Sequence, residues 1–158
     1  MVRVTLDTAA LGVFLSEPPK RASLERLFDA VGQRRVDLLL SQPLDTADPQ
    51  DALAKFARRQ PVLDTADFRH LIASADGFVP GEDTFLDYFG QAKEIAQGRG
   101  SAVLPGLADW LTLHVHSLQG RDYFLTWSKP LLLVAPEVGA EFKIRIITPG
   151  TFLKFGEY

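Results

Sequence analysis

Several polar residues stand where short β-prone runs end, so strands packed side by side would bring them to one edge. Asp7 follows VRVTL (2–6), Ser41 closes VDLLLS (36–41), Ser128 follows YFLTW (123–127), and Thr148-Pro149 follows KIRII (143–147). Asp109 sits near the start of LADWLTLHVHSLQG (107–120), a helical pattern whose amino end would face the same edge. Two carboxylates brought close without a cation repel, and at least one resists ionising. A hard divalent cation relieves this, and Mg²⁺ prefers oxygen ligands while keeping several waters.

The elements that must position these groups alternate along the chain. VRVTL is β-branched and short, and VDLLLS is a continuous apolar run of the kind buried on both faces of a parallel sheet. RASLERLFDAVGQ (21–33) repeats apolar residues at helical spacing through Leu24, Leu27, Phe28 and Val31. DPQDALAKFARR (48–59) reads as a helix with Asp48 as N-cap and Pro49 at its first position. TADFRHLIASADG (65–77) and EDTFLDYFGQAKEIAQ (82–97) read as helices separated by the turn GFVPG (77–81). The helix over 107–120 stops at Gly120, and YFLTW and KIRII are strands bounded by breakers, with Lys129-Pro130 read as a turn. Strands alternating with helices predict an α/β fold, because parallel neighbours need crossover connections. In such a sheet ligands bind outside the carboxyl ends of the strands.

Bulk properties narrow the chemistry. A chain of 158 residues is one domain's worth, and its Pro/Gly clusters are all of turn length. The sequence contains no cysteine, which excludes a disulfide framework, a thiolate metal site and a cysteine nucleophile, and fits a reducing, cytoplasmic setting. The segment MVRVTLDTAALGVFL has an acid inside its apolar stretch and does not read as a signal peptide. No run is long enough to predict a membrane span. With 17 basic and 20 acidic side chains, a net charge of −3 argues against indiscriminate polyanion binding but leaves room for a local basic patch.

The order LDTAAL (6–11), LADWLTLHVHSL (107–118), GRDYFLTWSKPLL (120–132) and IRIITPGTFL (144–153) resembles the PIN-domain family. That family has Asp-Thr-Asn/Ser after strand one, an Asp heading a late helix, a strand ending in Thr-x-Asp/Asn, and a closing strand followed by Thr-Pro and an apolar pair. The resemblance implies a single PIN-like domain over residues 1–158, three-layer α/β/α with a central, mostly parallel sheet of about four or five strands. It also implies a metal-dependent endoribonuclease that cleaves single-stranded RNA with Mg²⁺ or Mn²⁺. Family members of this size are often toxins of toxin–antitoxin pairs, so a protein antitoxin and a homodimer are implied partners. The chemistry has its own rationale: attack on a phosphodiester adds negative charge, which metal ions offset while lowering the pKa of the attacking water.

Carried over residue by residue, Asp7 matches the family's first acid, Asp109 its late-helix acid and Thr126 the threonine of the strand. Ser128 stands where the family has Asp or Asn; it can hold a metal-bound water but adds no charge. Ala9 replaces the usual Asn or Ser, and the second acid has no clean match, with Asp48 nearest and Asp45 and Asp51 as competitors. The predicted site is therefore Asp7, Asp48, Asp109 and Ser128, with the three acids as metal ligands. The departures at positions 9, 48 and 128 keep a second expectation open, a PIN-like module that binds or scaffolds without catalysis.

Other residues have plainer readings. Asp7, Asp109 and Asp48 could each cap a helix, and Asp122 reads as a solvated turn residue. His114 and His116, two apart on a helix, face different directions and do not share a metal, although His116 lies on the Asp109 and Thr112 face. Trp110 and Trp127 suit core packing better than base stacking. The doublets Arg34-Arg35 and Arg58-Arg59 read either as phosphate contacts or as ordinary helix surface.

Overall fold

The structure is a computed structural model and describes residues 1–8, 11, 15–44, 48–64, 94, 107–155 and 158. Its elements are β1 (Val2–Leu6), α1 (Pro18–Gly32), β2 (Val36–Leu40), α2 (Ala52–Arg58), α3 (Leu107–Leu118), β3 (Tyr123–Leu125), α4 (Lys129–Phe142), β4 (Ile146–Ile147) and α5 (Pro149–Phe155). The four strands form an all-parallel sheet in the order β2-β1-β3-β4, so the chain has the expected α/β architecture. Beyond β2, Val62 adds a single parallel bridge to Leu40. The helices expected over 65–77 and 82–97 lie outside the described residues, Glu94 apart, as do Ala9 and Asp45.

Strand alternation sends successive side chains to opposite faces, and each face has its own core. On one face Val4, Leu6, Leu38, Leu40 and Leu125 pack with Leu24, Leu27 and Phe28 of α1, Ala54 and Ala57 of α2, and Phe152 of α5. On the other, Phe124 and Ile146 pack with Trp110 and Leu113 of α3 and with Leu131, Val134 and Val138 of α4. Helices thus cover both faces, which gives three layers. Trp110 is 1% exposed and belongs to the second core, while half-buried Trp127 packs against the first. Burying each large side chain stabilises the fold by about 1.5–3 kcal/mol before entropy is counted. β2 alternates buried and half-buried residues instead of being buried on both faces; among the described residues its half-buried Leu39 packs on the second face against a small cluster of Leu63, Leu111 and Val115.

Three expectations about local structure are corrected. Residues 129–142 form a helix where Lys129-Pro130 reads as a turn, since Ser128 is the N-cap and a proline in the first turn costs no hydrogen bond. The strand read over KIRII (143–147) is confined to Ile146–Ile147, and Pro149-Gly150, which bounds it, also opens α5. The helix read from Asp48 starts later, at Ala52: Asp51 is its N-cap, and its carboxylate accepts from the Leu53 and Ala54 N–H groups. At the end of α1 the Arg34 N–H reaches Val31 O at 2.9 Å and the Arg35 N–H reaches Ala30 O at 2.9 Å. This pair of bonds closes the helix through a left-handed Arg34, a position where glycine is commoner.

Candidate functional site

All four strands run the same way, so their carboxyl ends share one edge. β1 and β3 are neighbours, but their crossovers leave in opposite directions: α1 carries β1 to β2 over one face, and α4 carries β3 to β4 over the other. A crevice opens where crossovers diverge in this way, and it is the usual ligand position in open α/β sheets. Asp7 and Thr126 are the residues that leave β1 and β3 at this point.

Hydroxyl groups hold the Asp7 carboxylate. The Thr126 hydroxyl, fully buried, donates to Asp7 Oδ2 at 2.8 Å and accepts the Ser128 N–H at 3.0 Å. The Ser41 hydroxyl approaches Asp7 Oδ1 at 3.5 Å, at the limit of a hydrogen bond. Thr8 fixes Ser41 in turn: its N–H donates to Ser41 Oγ at 3.0 Å, its hydroxyl donates to Gln42 O at 2.8 Å, and it accepts the Gln42 N–H at 2.8 Å. The Asp7 N–H continues the ladder to Leu125 O at 2.8 Å. The Thr126 and Ser41 hydroxyls thus face one carboxylate oxygen each, Oδ2 and Oδ1.

Asp109 reaches the same edge on α3. Midway along the sheet His116 Nδ1 and the Thr5 hydroxyl share a 2.8 Å hydrogen bond, which fixes one level of α3 against β1. Asp109 precedes His116 by seven residues, nearly two full turns, and so lies on the same stripe of the helix about 10 Å nearer its amino end. Asp7 follows Thr5 by two residues, on the same face of β1 and about 7 Å nearer the carboxyl edge. The two acids therefore rise from one pinned level toward one edge on one face. Asp109 is half-buried in the first turn of α3, where a negative charge also suits the helix dipole.

Neither a protein-family model nor a curated protein nor a solved structure matches this chain. Its site must be weighed on its own chemistry. Among the described residues no group of three or more His, Asp or Glu stands together as a metal site. Asp7 and Asp109 are both hard oxygen donors, and a set of two carboxylates completed by water fits Mg²⁺ or Mn²⁺ better than Ca²⁺, which takes more protein oxygens.

The remaining predicted site residues are placed as follows. Asp48 is exposed, and its Oδ1 accepts the Gln50 N–H at 2.9 Å in a local turn. Asp51, besides capping α2, receives Arg21 at 2.7 Å, and that guanidinium foremost holds its carboxyl below the ordinary value. Ser128 is half-buried, and its hydroxyl makes no capping bond within α4. His116 is fully buried beneath the edge, so it supports the crevice from below; burial, helped by the Arg121 charge, pushes its pKa down to about 4, against an opposing pull from Asp122. Asp122 is exposed but not merely solvated, since its carboxylate takes the Arg3 N–H at 2.8 Å and prolongs the β1–β3 pairing.

The residues that sequence reasoning left out are Thr8, Ser41 as a partner of Asp7, and Arg121. Arg121 has a side chain 2% exposed and donates to Val4 O at 2.8 Å and Asp37 O at 2.6 Å, joining the chain before β3 to β1 and β2. A hydroxyl closing an apolar strand was the available signal for Ser41; nothing local marked Arg121.

Proposed function

We propose that the chain is a metal-dependent endoribonuclease acting on single-stranded RNA. The observation that carries this reading is Asp7 held by the buried Thr126 hydroxyl at the crossover crevice, with Asp109 on the same face and edge. The resemblance to PIN-domain nucleases supports it through the same residues. Bound there, Mg²⁺ or Mn²⁺ would supply neutralising charge and a water of lowered pKa. Asp7 and Asp109 would hold the cation. Thr126 fixes the orientation of the Asp7 carboxylate, and Ser128 offers a hydroxyl to a water or phosphate oxygen at the head of α4.

A second reading, a module that binds without cleaving, draws on a specific observation: Asp51 is engaged by Arg21 and its own helix, and Asp48 by Gln50. Neither is a ready third acid. Cleavage of a panel of single-stranded RNAs with Mg²⁺ or Mn²⁺ separates the two. The nuclease reading expects cation-dependent cleavage, lowered on the order of 100-fold by Asp7→Asn and by Asp109→Asn. Cleavage absent under every condition sinks it and leaves the binding module; cleavage unaltered in both variants sinks this assignment of the site.

A further inference from the structure

The opposite, amino-terminal edge of the sheet carries a groove of about 500 Å³ between the start of β1 and the segments entering β3 and β4. We propose that this groove is a binding site for a small phosphate-bearing molecule of mononucleotide size. Its volume lies within the range of small-molecule sites and well above the needs of a lone ion.

Charge is the first support. Arg121, Lys143 and Arg145 line the groove, and its one acid, Asp122, is bonded to the Arg3 N–H. Arg121 is partly offset by Asp37, 3.4 Å away, but Lys143 and Arg145 are exposed and have no carboxylate partner among the described residues. This local excess of cations runs against the chain's net charge of −3. Phosphate suits it, because a guanidinium fork and an ammonium both form charge-assisted bonds to anionic oxygens.

Backbone and side-chain geometry give independent support. Lys143 ends α4 in the left-handed region, φ 57° and ψ 39°, a conformation that costs a lysine about 1 kcal/mol and a glycine almost nothing. Arg34 closes α1 in the same conformation, and what is particular to Lys143 is that its helix-ending turn places it in the lining of the groove. Arg145 is oriented in advance: its Nη1 donates to the Tyr123 hydroxyl at 3.0 Å and its guanidinium carbon lies 5.3 Å from the centre of that ring. The remaining guanidinium N–H groups stay available to an anion. Arg121 forms a buried cationic floor whose Nε has no hydrogen-bond partner, a desolvated donor whose field an anion above it would offset.

This site does not depend on the reading of the carboxyl edge. Inorganic phosphate and adenosine 5′-monophosphate, titrated to about 10 mM, the range of weak anion sites, are followed through backbone amide shifts. Saturable shifts at residues 120–123 and 143–145, tighter for the nucleotide, are expected. Lys143→Gly and Arg145→Gln should each weaken binding about 10-fold, while Asp7→Asn leaves it unchanged. Lys143→Gly relieves the left-handed strain, so its loss of binding cannot be ascribed to unfolding. No saturable shift with either probe, shifts centred elsewhere, or wild-type affinity in both groove variants overturns the proposal.

Discussion

The Thr126 hydroxyl, on a fully buried side chain, bonds in two directions at once, to the Asp7 carboxylate and from the Ser128 N–H. Valine has the same shape without the hydroxyl, so Thr126→Val removes the acceptor of the half-buried Ser128 N–H and the Thr126 donor to the Asp7 carboxylate. We expect a loss of about 1–3 kcal/mol in urea unfolding, and Thr126→Ser, which keeps both bonds, should retain most of that stability. At this scale the sequence was partly legible. Asp7, Ser41 and Thr126 stand out because polar residues closing apolar strands are few. That Thr126 bonds Asp7 was not legible, since 119 residues separate them and only the sheet order makes them neighbours. Asp51 shows the converse: two nearby aspartates both suit a cap, and the one that can also reach Arg21 on α1 takes the position.

Elements built from good strand and helix formers, β1, β2, α1 and α3, were readable from apolar spacing, with ends shifted by a few residues. α4 was not, because Pro130, Pro136 and Gly139 all resemble breakers. Pro130 sits in the first turn, where no N–H is needed; Pro136 lies inside the helix, and packing of Leu131, Val134 and Val138 in the second core offsets the bond it forfeits. Gly139 has a steric purpose: a Cβ there would come 2.8 Å from Ile144 O, where the chain turns back beneath the helix. Glycine to alanine in a helix normally gains about 0.5–1 kcal/mol. Gly139→Ala should instead lose about 1–3 kcal/mol, because the opposing atom is backbone and cannot rotate away. Thermal unfolding reads the sign; a raised Tm would mean that the two segments part without cost.

Across the whole molecule, the burial of His116 makes stability depend on acid. The folded imidazole, desolvated and near Arg121, takes a proton only at about pH 4, whereas an unfolded histidine takes one near its ordinary 6.5. Between those values the unfolded state binds more protons, so stability falls as pH drops through this window and levels off below it, by a total of about 3 kcal/mol. Urea unfolding at pH 7 and pH 4.5 should show most of this loss, and His116→Gln should flatten it. Asp51 responds in a lower window: its carboxyl is depressed, so its contribution is full above the ordinary carboxylate value and fades only as pH falls below it. Among the described residues no helix is long and apolar enough to cross a membrane. The sheet order has a consequence for how the chain reaches this state. β1 is flanked by β2, which follows after one helix, and by β3, whose pairing spans about three-quarters of the sequence. The β1–β2 unit can therefore assemble early, while the other edge of β1 waits, its backbone groups unpaired, until the stretch around Tyr123–Leu125 has left the ribosome. Until then Val2–Leu6 is an open strand edge, and the slowest and most aggregation-prone interval in making this protein is the wait for β3.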